Sequence, residues 1–180
     1  VGFQMYCDLL SIEVQRTKSE DGTVQKAPHV TASFQSDIGS DYIQNMSLRI
    51  DYYYRVGSAI SVEQLNKIEK ELVDVFGPMP DKTKNLLLVA SLKIRYKSTP
   101  VSQINIKDGI IEVVVQPFDE KRQLGFLSQL GTYKNKNLEH IRFKDVSGGL
   151  LGVFLGVSSS GDIFDLLFDF VHLFDPTDTT

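Results

Sequence analysis

VSQINIKDGIIEVVVQ, residues 101–116, holds two runs rich in β-branched residues, Val101 to Ile106 and Ile110 to Gln116, joined through Lys107-Asp108-Gly109. Asp-Gly between such runs is a strong hairpin signal, because both central positions of the favoured turn need a positive φ. Pro100 marks the change, since apolar residues before it recur at helical spacing and those after it alternate. Downstream, residues Asp119 to Tyr133 read as a helix, although Gly125 and Gly131 each weaken it by roughly 1 kcal/mol relative to alanine. A second hairpin is predicted from Leu138 to Val146 and Leu150 to Val157, turning at Ser147-Gly148-Gly149. The final helix sets Ile163, Leu166, Leu167, Phe170, Val171 and Phe174 on one stripe. Two hairpins alternating with helices predict one antiparallel sheet covered by helices, an α+β fold whose first half is helical.

That first half carries clear punctuation. Ser61 followed by Gln64 has the spacing of a capping box, so a helix is predicted from Val62 to Phe76. Leu65, Ile68, Leu72, Val75 and Phe76 share its apolar face; Glu63, Lys67, Lys70 and Asp74 point the other way, with Glu71 on the flank. Gly77 can take the positive φ that ends a helix, Pro78 and Pro80 block continuation, and Asp81 is placed to cap a helix from Lys82 to Lys97. An earlier helix is expected from about Gln44 to Ala59, and a short strand from His29 to Phe34. Residues 17–28 are polar with little to bury and read as a flexible linker. Residues 2–16 have an amphipathic helical spacing with a broad apolar side. The domain organisation expected is therefore a helix in 1–16, a linker in 17–28 and a main domain from 29 to 180.

Composition narrows the chemistry. Lys plus Arg number 19 against 23 Asp plus Glu, a net charge of -4, which argues against sequence-independent DNA binding as the main task. The single cysteine, Cys7, excludes an internal disulfide, and the longest apolar run, Leu86 to Ala90, is too short for a bilayer, so a reducing cytoplasm is expected. The opening Val-Gly-Phe, without a methionine or leader, suggests a fragment of a longer protein. His29, His140, His172 and Cys7 lie on separate segments with no metal-ligand spacing. Ser158-Ser159-Ser160-Gly161 lacks the lysine of a phosphate loop and reads as a helix N-cap with Asp162 in the first turn. Asp162, Asp165 and Asp169 read as a solvated face of the last helix. The chain is expected not to be an enzyme by itself and to need no cofactor.

Three stretches carry a resemblance. The first is Val1-Gly2-Phe3 with Tyr6 and Leu9-Leu10; the second is Asp41-Tyr42-Ile43 followed by Arg49, Tyr53 and Arg55. The third and most specific is Glu71-Leu72-Val73-Asp74 leading into Phe76-Gly77-Pro78-Met79-Pro80 and then Lys84-Asn85-Leu86-Leu87. Together they resemble the C-terminal region of bacterial transcription-repair coupling factors, DNA translocases that remove stalled RNA polymerase and recruit nucleotide excision repair. The resemblance implies that residues 1–16 are the helix leaving an absent motor module, which alone would touch DNA, and that 29–180 is a non-catalytic regulatory domain. In the family this domain rests against an N-terminal UvrB-like module, masks its UvrA-binding surface and restrains the motor; its links to UvrA and RNA polymerase are indirect, and no membrane is involved. The family's contact comes from a Glu-Leu-Ile-Asp-Arg helix, which falls here on Glu71, Leu72, Val73, Asp74 and Val75. Glu71, Asp74 and Val75 are thus the candidate interdomain-binding residues, Val75 standing where the family has arginine; Gln44 likewise stands where a proline follows Asp-Tyr-Ile.

Two other readings stay open. Glu63–Lys67, Lys67–Glu71 and Lys70–Asp74 are all four residues apart, so these acids can equally serve to solvate the helix. The basic helix end at Lys93, Arg95 and Lys97 makes a nucleic-acid or RNA polymerase contact module the alternative function.

Overall fold

The computed structural model describes residues 27–117, 119–146, 149–159 and 161–174. The expectations for residues 1–16 and for nearly all of 17–28 lie outside these, as does most of the Ser147-Gly148-Gly149 turn. The described chain forms two compact units: a helical one made of residues 34–94, and a sheet unit made of the segment up to residue 33 together with residues from 95 onward.

The helical unit contains α1 (Met46–Ser58), α2 (Val62–Phe76) and most of α3 (Asp81–Arg95). Asn45 caps α1, its Oδ1 accepting from the backbone N–H groups of Ser47 and Leu48. Ser61 caps α2 by accepting from the Gln64 N–H, and the Gln64 amide reaches back to accept from the Ile60 N–H at 2.9 Å, one residue beyond the usual box. At the corner Gly77 has φ +82°, and its N–H donates to the Val73 carbonyl. The Tyr42 hydroxyl sits 3.0 Å from the carbonyls of both Leu72 and Gly77 and ties the corner to the loop before α1. Asp81 is the first residue of α3 rather than its cap. The Pro80 carbonyl accepts from both Thr83 and Lys84, which starts the helix one residue earlier than expected, and it ends two residues sooner, at Arg95. The core gathers Ile43, Tyr52, Leu65, Ile68, Leu72 and Leu86. Val75, expected on the apolar face, is 62% exposed, because it lies on the edge of that stripe in the last turn.

The sheet unit holds five strands among the described residues, in the order β1 (His29–Ala32), β2 (Val101–Lys107), β3 (Ile110–Val115), β5 (Leu150–Val157), β4 (Leu138–Val146). The two predicted hairpins are present, and Asp108 (φ 50°) with Gly109 (φ 76°) makes the first turn as the sequence implies. The sheet is mixed, not purely antiparallel: β1 adds in parallel to the bare edge of β2, with Val30 beside Ile104 and Ala32 beside Ile106. A parallel pair needs a long connection, and residues 33–100 supply it. Register sorts the side chains into two faces. Val30, Ile104, Ile106, Ile111, Val113, Val153 and Leu155 share one and are buried; the other carries a polar row in which Thr31 Oγ1 donates to Asn105 Oδ1 and Asn105 Nδ2 donates to Glu112 Oε2.

Helices α4 (Glu120–Thr132) and α5 (Ile163–Phe170) complete this unit, α5 running on into a 3-10 turn at Val171–Phe174. Phe126 stacks on Phe174 at 4.9 Å, and the buried Tyr96 hydroxyl donates to the Leu167 carbonyl at 2.7 Å. Asp162 itself is the N-cap of α5, accepting from the Phe164 and Asp165 N–H groups, so the cap falls one turn later than the serine run. Asp165 and Asp169 do more than face solvent. Asp169 accepts from the Tyr133 hydroxyl and Asn135 amide, and Asp165 from the buried Asn137 amide, which fastens the loop after α4 to α5.

Candidate interdomain docking site

The candidate residues all lie in the last two turns of α2, but their surroundings divide them. Glu71 is engaged inside the helical unit. Arg55, one turn before the end of α1, donates from Nη1 to Glu71 Oε1 at 2.7 Å and from Nη2 to Oε2 at 2.5 Å, and the Tyr52 hydroxyl donates to Oε1 at 2.8 Å. The Arg55 guanidinium also lies 4.9 Å from the Tyr52 ring centre. This fork geometry, with a third donor, pulls the Glu71 carboxyl down to about 2, chiefly through the Arg55 hydrogen bonds and then through Tyr52. The same contacts raise Arg55, and burial first and Glu71 second raise the Tyr52 hydroxyl.

Asp74 and Val75 point outward. Asp74 is exposed and closes no ion pair among the described residues; neither Lys67–Glu71 nor Lys70–Asp74 comes within salt-bridge distance. Asp74 lines a shallow depression with Asn66, Glu69, Lys70 and Val73. Val73 and Val75 add apolar surface on either side, 42% and 62% exposed. The end of the outer surface of α2 therefore sets the Asp74 carboxylate between two exposed valines, with Glu69 and Lys70 exposed one turn earlier, which suits a partner surface that is part apolar and part charged. Arg55 and Tyr52 are the residues that periodicity missed: the helical spacing of α1 puts both on its inner side but does not say which residue of α2 they meet.

The basic helix end is less available than its sequence suggests. Lys93 is half-buried and Arg95, though exposed, rests on the Phe168 ring at 4.7 Å, while Lys97 is exposed. The histidines remain dispersed, and among the described residues no cluster of three or more His, Cys, Asp or Glu could hold a metal. No helix among them is long and apolar enough to cross a membrane.

Comparison with known proteins follows the same features. The family model described as the TRCF domain matches residues 33–124, which contain α1, α2, α3 and the first hairpin. The transcription-repair-coupling factor of Escherichia coli (strain K12) is 32% identical over 120 residues, covering 62% of this chain and 10% of that protein. The protein of the same description from Buchnera aphidicola subsp. Acyrthosiphon pisum is 31% identical over 119 residues, 62% of this chain and 15% of its own length. That from Staphylococcus haemolyticus is 28% identical over 149 residues, 76% of this chain and 13% of its own. The chain thus spans only 10% to 15% of the length of these relatives. A solved structure described as the C-terminal domain of a transcription-repair coupling factor superposes with a TM-score of 0.63 over 83% of this chain and 90% of that one, at 18% identity, and shares the fold. With more than half of its residues matched, including the Phe76-Gly77-Pro78-Met79-Pro80 corner between α2 and α3, the chain belongs to the TRCF domain family.

Proposed function

We propose that this chain is a non-catalytic docking and autoinhibitory domain of a cytoplasmic transcription-repair coupling translocase. It rests on the parent's UvrB-like module, covers the surface that UvrA would use, and holds the motor back until RNA polymerase is engaged. The observation that supports the reading is the outer surface of α2, where Asp74 lies unpaired among the described residues between the exposed Val73 and Val75. A carboxylate flanked by exposed valines on a rigid, doubly capped helix is a surface shaped for another protein. Glu71 has a supporting part in this reading, fixing α2 through Arg55 rather than reaching across.

The test is Asp74→Ala combined with Val75→Ser in the full-length parent, measuring ATPase rate without polymerase and binding to UvrA. Only contacts made in the closed arrangement bias the balance, and an interface pair of this kind is worth roughly 0.5–2 kcal/mol, so both quantities should rise together by about 2- to 30-fold. Unchanged values, with the domain still folded, would remove α2 as the latch. Loss of polymerase or DNA contact on substituting Lys97 instead would favour the alternative, a nucleic-acid or polymerase contact module.

A further inference from the structure

The far edge of the sheet carries a second surface. β4 is the terminal strand in the sheet order and, among the described residues, pairs only with β5, so alternate backbone N–H and C=O groups along it point away from the sheet. Its side chains are sorted by face. His140, Arg142 and Lys144 share one face, all exposed and none in an ion pair among the described residues. On the other face Ile141 and Phe143 are followed by Asp145, while Glu139 sits at a register shift between Leu138 and His140, and Phe143 is 65% exposed although its neighbour across the ladder, Val153, is fully buried. The His140 ring fills the space that a β-carbon on Gly156 would take, which holds the basic row against the sheet surface.

This pattern selects its partner. A second copy paired antiparallel about Arg142 would set Arg142 against itself and His140 against Lys144, stacking the basic row on itself. Arg142 directly opposite Arg142 is destabilising, so the basic face rejects self-association in this register. A strand with acids opposite His140, Arg142 and Lys144 and apolar residues opposite Ile141 and Phe143 meets these five positions favourably. Single-stranded nucleic acid is served less well: one aromatic ring for stacking, the half-buried Phe154, shares the basic face, and it lies between Arg142 on one side and the acidic Glu112 on the other.

The geometry points to β4 as a docking edge for an extended acidic segment of a partner protein, in which acids alternate with apolar residues and which adds as a further strand beside β4. The site is separate from α2 and independent of the role assigned there.

The experiment uses the whole chain and the labelled peptide Lys-Glu-Val-Glu-Val-Glu-Lys, whose palindromic sequence fits β4 in either direction. Its charge-swapped counterpart, Glu-Lys-Val-Lys-Val-Lys-Glu, is the control, and oligothymidylate is a third probe. The first peptide should bind at least about tenfold tighter than its counterpart, lose affinity as salt rises, and protect amides of residues 139–145 from hydrogen exchange. Arg142→Glu with Lys144→Glu should reverse the preference between the peptides, and the milder Arg142→Gln with Lys144→Gln should abolish it. Equal binding of the two peptides, no binding of either up to about 1 mM, or protection elsewhere than β4 would overturn the proposal. Tighter binding of oligothymidylate than of the acidic peptide, lost in the Gln variant, would overturn it in favour of a nucleic-acid surface.

Discussion

Glu71 accepts three hydrogen bonds from two residues of α1, so its charge is part of what joins the two helices. Replacing it with glutamine keeps the shape but removes the charge that the Arg55 fork grips. The carboxylate is 43% exposed and the guanidinium 35%, so solvent screens the pair and the expected loss is about 1 kcal/mol, read from urea unfolding at neutral pH. Its pH dependence has a definite sign. The folded carboxyl lies at about 2 against an ordinary value of 4.5, so its stabilisation is fully present above 4.5 and is lost as pH falls toward 2. Glu71→Gln should therefore reduce the slope of the stability profile between those limits. Equal slopes for the parent and Glu71→Gln chains would show that the fork contributes nothing in solution. Gly77 makes a second test. A β-carbon there meets nothing within 4 Å, so Gly77→Ala costs only backbone strain, but φ +82° with ψ -162° is a region nearly confined to glycine, and the loss should be about 1–3 kcal/mol by the same measurement.

The three first-half helices, both hairpins and the bounds of α2, β4 and β5 were legible in the sequence, because caps, turn residues and periodicity are local signals. Ser61, Gln64, Gly77, Asp108 and Gly109 each act within a few residues of themselves. What stayed hidden was long-range: the spacing of His29 to Ala32 announces a strand but cannot name its partner, and nothing local says that β2 will receive it in parallel. Arg55 was legible as part of a motif but not as the holder of Glu71, for the same reason. The candidate site was legible only through the resemblance, since three residues at the end of an amphipathic helix have no distinctive spacing of their own. β1 yields a prediction with a practical edge. The family match begins at residue 33, just past this strand, yet Val30 is 1% exposed and covers the edge of β2. A chain trimmed to start at Phe34 should lose cooperative unfolding of the sheet unit and associate through the bared β2 edge, visible as concentration-dependent sedimentation. A trimmed chain that stays monomeric and melts like the parent would show β1 to be dispensable.

Residues 34–94 are contiguous and carry their own core, caps and ion pairs, while the other unit draws on segments from both sides of them. Segments of about 55–65 residues can fold alone. The piece Phe34 to Arg95 should therefore be helical and melt cooperatively by circular dichroism without the sheet; a broad, non-cooperative trace would mean that its core needs more than its own side chains. The same arrangement gives synthesis a timetable. Thr31 emerges from the ribosome 74 residues ahead of its partner Asn105. At roughly 5–20 residues per second that is a wait of about 4–15 s, long compared with helix formation. In that interval the helical unit is complete and able to fold, while β1 has no strand to join. Its short length and its polar His29 and Thr31 suit a segment that must spend seconds unpaired without recruiting neighbouring chains. If the helical unit folds alone, assembly on the ribosome runs insert first and sheet last, and a defect that stalls the sheet would leave a chain whose α2 is already folded and presented.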